Sequence, residues 1–322
     1  MDETIIAQIC LACFSQQTGG ITRCTTGQGN YVYLLETGGE KYIVRCSREE
    51  GAYTQTVYWL EKLAAAGISV PRVIRQGTLR GYAYLVLSYL EGDDLGAVYP
   101  ALTAEDKRAI AKEVVEIQRR AGTLDPGPLD GGWTWRAFVD EMLARARERI
   151  IRNGFFDAEK ADRLSEAAGE LDEYFARVRP VVYLDDISTK NLLIHNRRVS
   201  GVIDIDWVGT GDWLTYAALA NMALLNLRYD TDYVQYLLEE MRVSGIEQRA
   251  FLFYTLLFCV DFMGERGAAF LDKTVAVNGE IIAHLNNLYD RLWKTWAEGP
   301  SGAAVQAGSS APFSTNRGIL LS

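Results

Sequence analysis

Histidine and cysteine are scarce in this chain: two histidines, His195 and His284, and five cysteines stand among 322 residues. So few nitrogen and sulfur ligands argue against a zinc framework, which needs four of them to converge on one ion. Cys10 and Cys13 form a C-x-x-C with no second pair after it, and the spacing reads as one helical turn carrying two small buried thiols. An odd number of scattered cysteines fits a reducing compartment better than a disulfide framework. Clustered Lys and Arg are missing as well, since 33 basic against 42 acidic residues leave a formal net charge of −9 and a sequence pI of about 5.0. A surface that tracks DNA or RNA phosphates needs the opposite balance, so nucleic acid is not an expected partner. No apolar run is long enough to cross a bilayer. The start, MDETIIAQICLACF, opens with acids where a secretory signal has a basic segment. A cytoplasmic protein with no membrane partner is expected.

What is present is ample core material, 48% hydrophobic residues. From Ile21 to Leu90 the segments ITRCTT, YVYLLET, KYIVRC and YAYLVLSYL are rich in β-branched and aromatic residues, separated by glycine-bearing turns. One helix interrupts them, over about 52–66, and stops at Gly67 ahead of Pro71. After Gly92 helical periodicity takes over. It predicts helices over about 103–121, 133–153, 157–178, 213–228, 231–243, 246–266 and 277–297. Between the third and fourth of these lies a strand-like pair, VVYL and NLLIHN, followed by RVSGVIDID. The expected fold is α+β: a small antiparallel sheet with one main helix in residues 1–90, a mostly helical part in 91–298, and a Gly, Ser and Ala-rich tail over 299–322.

Three stretches carry candidate chemistry. In TTGQGNYVY, Gly27 and Gly29 sit in a tight turn between strands. Glycine there lets backbone N–H groups approach a phosphate, although a two-glycine turn also serves as a plain hairpin. In LDDISTKN, Asp186 stands five residues before Asn191. On one extended loop the carboxylate can take a proton from an attacking hydroxyl while the amide oxygen helps hold a divalent cation. In VIDIDW, Asp204 ends an apolar run, and a buried carboxylate needs a metal or a donor to offset its desolvation.

These stretches, in this order, resemble the aminoglycoside phosphotransferase and choline kinase-like family, distant relatives of protein kinases. The resemblance runs from about Ile21 to Trp296. The family loop H-G-D-x-x-x-x-N corresponds to LDDISTKN, and G-x-I-D followed by G-D corresponds to GVID and GTGD. The resemblance implies a two-lobed protein kinase-like fold and transfer of the γ-phosphoryl group of ATP or GTP, with Mg²⁺, to a hydroxyl of a small acceptor such as an aminoglycoside or other amine. It further implies that Asp186 is the base, that Asn191 and Asp204 are magnesium ligands, and that Arg45 contacts the phosphates. Gly27, Gln28, Gly29 and Asn30 close over the phosphates in this reading, and Ser88, Tyr89 and Leu90 form the hinge against adenine. Asp206 is a supporting carboxylate or a further metal contact.

The departures are specific. Leu184 and Asp185 stand where the family has histidine and glycine, and Gln55 or Thr56 falls near the place of the helix glutamate that usually partners the phosphate-binding cation. Asp185, Lys190, Asp212, Asp261 and Glu265 are candidates for the acceptor side, with Trp213 nearby. Trp133, Trp135 and Phe138 are either a wall of that pocket or core packing. Two rival readings remain at this level: a nucleotide-binding module that has lost catalysis, and a haloacid dehalogenase-like phosphatase using Asp204 as nucleophile and Asp206 as acid/base. The second requires a parallel α/β domain after VIDID.

Overall fold

The computed structural model describes residues 3–14, 19–24, 31–129, 131–270 and 273–299. By contact density the chain forms two units, one from residues 1–126 and 181–213, the other from 127–180 and 214–322.

The first unit begins with helix α1 (Glu3–Phe14) and strands β1 (Gly20–Cys24), β2 (Tyr31–Thr37) and β3 (Glu40–Ser47). Helix α2 (Thr54–Ala65) and strands β4 (Val73–Leu79) and β5 (Tyr82–Ser88) follow. The five strands form one antiparallel sheet in the order β1-β2-β3-β5-β4. Side chains alternate across a strand. Tyr33, Leu35, Val44, Cys46, Tyr84 and Val86 therefore share a face, where they pack with Ile6, Ile9 and Cys10 of α1. The C-x-x-C is part of that helix: Cys10 is buried, Cys13 half-buried, and neither is in a disulfide.

Beyond the sheet, β6 (Asp93–Asp94), α3 (Leu95–Val98) and α4 (Ala104–Ala121) lead away, and the chain later returns to this unit with β7 (Val181–Tyr183), β8 (Leu192–His195), β9 (Arg198–Val202) and β10 (Gly209–Gly211). Helix α4 opens on a reciprocal Thr103–Asp106 capping box and buries Ile110, Ala111, Val114, Val115, Gln118 and Ala121 at helical spacing. The VVYL and NLLIHN segments are both strands, but they do not pair with each other. β7 pairs with β10, whereas β8 lies between β6 and β9. The loop between β7 and β8 thus connects two different sheets.

The second unit holds α5 (Trp135–Asn153), α6 (Glu159–Ala167), α7 (Asp172–Phe175), α8 (Leu214–Asn226), α9 (Asp232–Met241), α10 (Ile246–Glu265) and α11 (Gly279–Glu298). Their apolar faces bury Leu143, Leu164, Phe175, Leu224, Leu237, Phe253 and Leu288. Trp135 is core, not pocket wall: it is 1% exposed, and its indole N–H donates to Tyr254 Oη at 2.6 Å. Among the described residues no helix is long and apolar enough to cross a membrane. Nor does a parallel strand–helix alternation follow Asp204 among them, since the strands that come after it pair antiparallel and the rest is α8 to α11, so the phosphatase reading lacks its fold.

Candidate active site

Strand alternation places Arg45. Val44 and Cys46 face α1, so Arg45 between them points to the opposite side of the sheet. There its side chain is 6% exposed, and its guanidinium carbon lies 5.6 Å from the centre of the Tyr53 ring.

The β7–β8 loop is fixed from α4. Gln118, on the buried face of that helix, donates from Nε2 to the Leu184 carbonyl at 2.8 Å and accepts the Leu184 N–H on Oε1 at 2.9 Å. The Leu184 side chain is itself buried. Where the family motif has an imidazole, this chain has an apolar anchor with its backbone clamped by an amide. Two residues on, Asp186 is held by Asn191, whose Nδ2 donates to Asp186 Oδ2 at 3.0 Å and to the Asp186 carbonyl at 2.9 Å. With both amide hydrogens committed, Asn191 Oδ1 is left as an acceptor.

The Asp204 segment is tied to the same loop. The Ile203 N–H donates to the Asn191 carbonyl at 2.9 Å, one step beyond the Leu192–Val202 pair of β8 and β9. Asp204 then adopts a left-handed backbone at φ +58°, a conformation that Asp tolerates better than most side chains. Arg45 Nη2 lies 3.3 Å from Asp204 Oδ1 and 2.5 Å from Asp206 Oδ2. Thr56 of α2 donates its hydroxyl to the other oxygen, Asp206 Oδ1, at 2.8 Å.

Four carboxylates and one buried guanidinium make this an electronegative site. Burial, then the Asp185 and Asp204 charges, push the Asp186 carboxyl up to about 6, against the lowering pull of Ser188 and Asn191. Asp186 keeps solvent-exposed surface, so the surrounding protein and its like charges, not full enclosure, produce the shift. Burial also raises Asp185 and Asp204, the latter opposed by Arg45 and reinforced by Asp206. Burial would lower Arg45, but the Asp206 hydrogen bond and the charges of Asp206 and Asp204 more than offset it and raise it instead. Among the described residues Asp185 has no cationic partner, and Lys190 is exposed with no ion pair.

Asp204 and Asn191 Oδ1 are hard oxygen donors, the kind that suits magnesium. Among the described residues no three His, Cys, Asp or Glu side chains form a closed metal cage.

The remaining candidates are distributed differently. Gly27, Gln28, Gly29 and Asn30 lie outside the described residues. Ser88 ends β5, its N–H donating to the Arg72 carbonyl and its Oγ accepting from the Arg72 N–H, both at 2.9 Å. Tyr89 lies under the Lys41 ammonium at 5.5 Å. Leu90 packs so closely on Gly201 that a Cβ there would stand 2.6 Å from its Cδ1. Asp212 is buried. Asp261 and Glu265 belong to the second unit, and neither is an open acid: Arg149 pairs with Asp261 and stands 3.8 Å from Glu265 Oε1. Gln118 is absent from the motif reading, although one signal marks it, a polar residue that with Lys107 interrupts the apolar register of Ile110, Ala111, Val114 and Val115.

An antiparallel sheet flanked by α1 and α2, followed by a loop-borne Asp–Asn pair and a second Asp just beyond β9, has the layout of a protein kinase-like fold. The sequence model of the phosphotransferase enzyme family matches residues 20–233. The chain belongs to that family, and the fold is the two-lobed protein kinase-like one expected. It is 29% identical to a probable ketoamine kinase of Staphylococcus aureus over 43% of this chain and half the length of that relative. It is 28% identical to an aminoglycoside 3'-phosphotransferase of Streptomyces fradiae over 62% of this chain and 75% of that one. A solved aminoglycoside phosphotransferase, APH(4)-Ia in ternary complex with AMP-PNP and hygromycin B, superposes with a TM-score of 0.64 at 17% identity, covering 90% of this chain and 98% of that chain.

Proposed function

We propose that this protein is a small-molecule kinase that transfers the γ-phosphoryl group of ATP, or GTP, to a hydroxyl of an amine-bearing acceptor. The observation that carries this reading is the joining of Asp186, Asn191 and Asp204 by the Asn191–Asp186 hydrogen bonds and the Ile203–Asn191 backbone bond. Residues 1–90 supply the nucleotide contacts through Arg45 and the 88–90 segment, and 91–298 supply the catalytic loop and the acceptor contacts.

In this reading Asp186 orients the acceptor hydroxyl and takes its proton as the phosphoryl group leaves in line. Asp204 and Asn191 Oδ1 would hold Mg²⁺, which would supply positive charge against the phosphates as charge develops on them. Arg45 sets the phosphates against Asp186, so catalysis rests on positioning and charge. A module that only binds nucleotide would not need Asp186 fixed by Asn191.

Two features favour a cationic acceptor. Asp185 carries a carboxylate without a cation partner among the described residues, and Trp207 is 76% exposed. The last β7–β10 pair is Tyr183 with Gly209; Asp185 lies two residues beyond Tyr183, and Trp207 two residues before Gly209. A carboxylate and an aromatic face suit an ammonium on a ring. The relatives named above, a ketoamine kinase and aminoglycoside phosphotransferases, act in the same chemical range.

The test is an ATP- and GTP-consumption screen over aminoglycosides, ketoamines and other hydroxyl-bearing amines, with Asp186→Asn as the blank. One acceptor class should run at least about 100-fold above the blank. Equal rates in the two proteins remove the base. Magnesium-dependent ATP binding with no turnover on any acceptor moves the reading to the binding module. With the acceptor in hand, Asp185→Asn should raise its KM about tenfold, the scale of one charge-assisted contact, and leave the KM for nucleotide in place.

A further inference from the structure

The phosphate-binding cation of this fold needs a carboxylate to hold it, and the usual source, a helix glutamate, is missing. Helix α2 carries one acid, Glu61, on its exposed surface. Glu49 and Glu50, ahead of the helix, are exposed as well. Among the described residues the carboxylates that reach Arg45 are Asp204 and Asp206. These two differ in their surroundings. Asp204 is the candidate metal ligand and stands farther off, at 3.3 Å. Asp206 is at 2.5 Å, and its second oxygen accepts a 2.8 Å hydrogen bond from Thr56, a buried α2 residue near the glutamate's place.

We propose that Asp206 is the positioning residue for Arg45, with Thr56 as its tether, so that the anchoring carboxylate has moved from the helix to the metal segment. The inference rests on the kinase reading. It divides the two acids by role: Asp204 turns to the metal when nucleotide binds, and Asp206 stays on Arg45. A guanidinium suits this arrangement because its rigid fork meets carboxylates in the plane and leaves further N–H groups for phosphate. The hydroxyl at 56 matters because it fixes the rotation of the carboxylate and links sheet, helix and metal segment at one point.

Mg·ADP and Mg·ATP affinity by calorimetry, with far-UV circular dichroism to confirm folding, tests the proposal on the full chain. Asp206→Asn should weaken nucleotide binding about tenfold or more at saturating Mg²⁺ without displacing the Mg²⁺ dependence. Thr56→Val should weaken it about three- to tenfold, and Thr56→Ser should restore it. Arg45→Ala combined with Asp206→Asn should bind no worse than Arg45→Ala alone, because one interaction is lost only once. Additive losses in that pair overturn the proposal. So does a rightward shift of the Mg²⁺ titration in Asp206→Asn that excess Mg²⁺ repairs, which would make Asp206 a metal ligand. Nucleotide binding by the parent with indifferent Asp206 variants sinks this inference alone, whereas a parent that binds no nucleotide sinks the kinase reading with it.

Discussion

As the proposed base, Asp186 has to be charged to accept a proton, yet its surroundings favour the neutral form. Its carboxyl is raised to about 6 from 3.8, by burial first and by Asp185 and Asp204 next. Catalytic efficiency in the acceptor should therefore rise with pH through an inflection at or below about 6, since bound Mg²⁺ counters the neighbouring acids, and Asp186→Asn should lose about 10²–10⁴-fold in kcat while still binding nucleotide. Stability has the opposite dependence. Between 3.8 and about 6 the native protein holds a proton here that the unfolded chain has released, so nucleotide-free stability falls as pH rises through that window. Melting curves of Asp186→Asn should accordingly run above the parent at pH 7 to 8 and converge with it toward pH 4; a variant no more stable at neutral pH contradicts the charge crowding. At this scale Asp186 and Asn191 were legible because five residues on one loop keep them close, and Asp204 because a short hairpin, β8–β9, returns the chain to Asn191. Arg45's partners were not. They lie 159 and 161 residues along the chain, and nothing local announces them.

At the scale of elements, α4 determines where the β7–β8 loop sits. Gln118 satisfies both backbone groups of Leu184 in a buried setting. Gln118→Ala leaves both without partners, at about 1–3 kcal/mol each. It should lower the melting temperature and kcat together while the KM for nucleotide holds, measured by calorimetry and steady-state kinetics; a fall in nucleotide affinity alone would place Gln118's effect elsewhere. Most helices ended within a few residues of their predicted limits because caps and apolar periodicity are local. The exception is 157–178, expected as one helix and found as α6, a 3-10 turn at Ala168–Leu171 and the short α7. Gly169, in the middle of the interruption, lowers the helical propensity there. β10 was illegible for a related reason. Its Gly-Thr-Gly has little strand propensity, and its pairing with β7 sets the Tyr183 ring over Gly209, where a Cβ would meet it at 2.3 Å.

Across the whole molecule, composition and contacts divide the chain differently. Residue 90 separates strand-rich from helix-rich sequence, but residues 91–126 and 181–213 pack with the sheet, so the candidate site lies wholly within the first unit. The site gathers more acid than base, and magnesium with nucleotide should relieve it. At 100 times its dissociation constant, Mg·ATP should stabilise the protein by about 2.7 kcal/mol. ATP with a chelator, or Mg·ATP with Asp204→Asn, should give much less. Equal stabilisation with and without metal would remove Asp204 and Asn191 as ligands.

The amino-acid sequence by itself determined the order of elements, the faces they bury and the identity of the loop residues, because propensity, periodicity and motif spacing act over a few residues. Tertiary structure alone decided which side chains hold those residues in place: Gln118 on Leu184, Asp206 on Arg45 and Thr56 on Asp206. Such partnerships form between segments that meet only after the sheet and α4 have packed. Their hydrogen bonds gain strength from burial, and burial is a property of the folded chain.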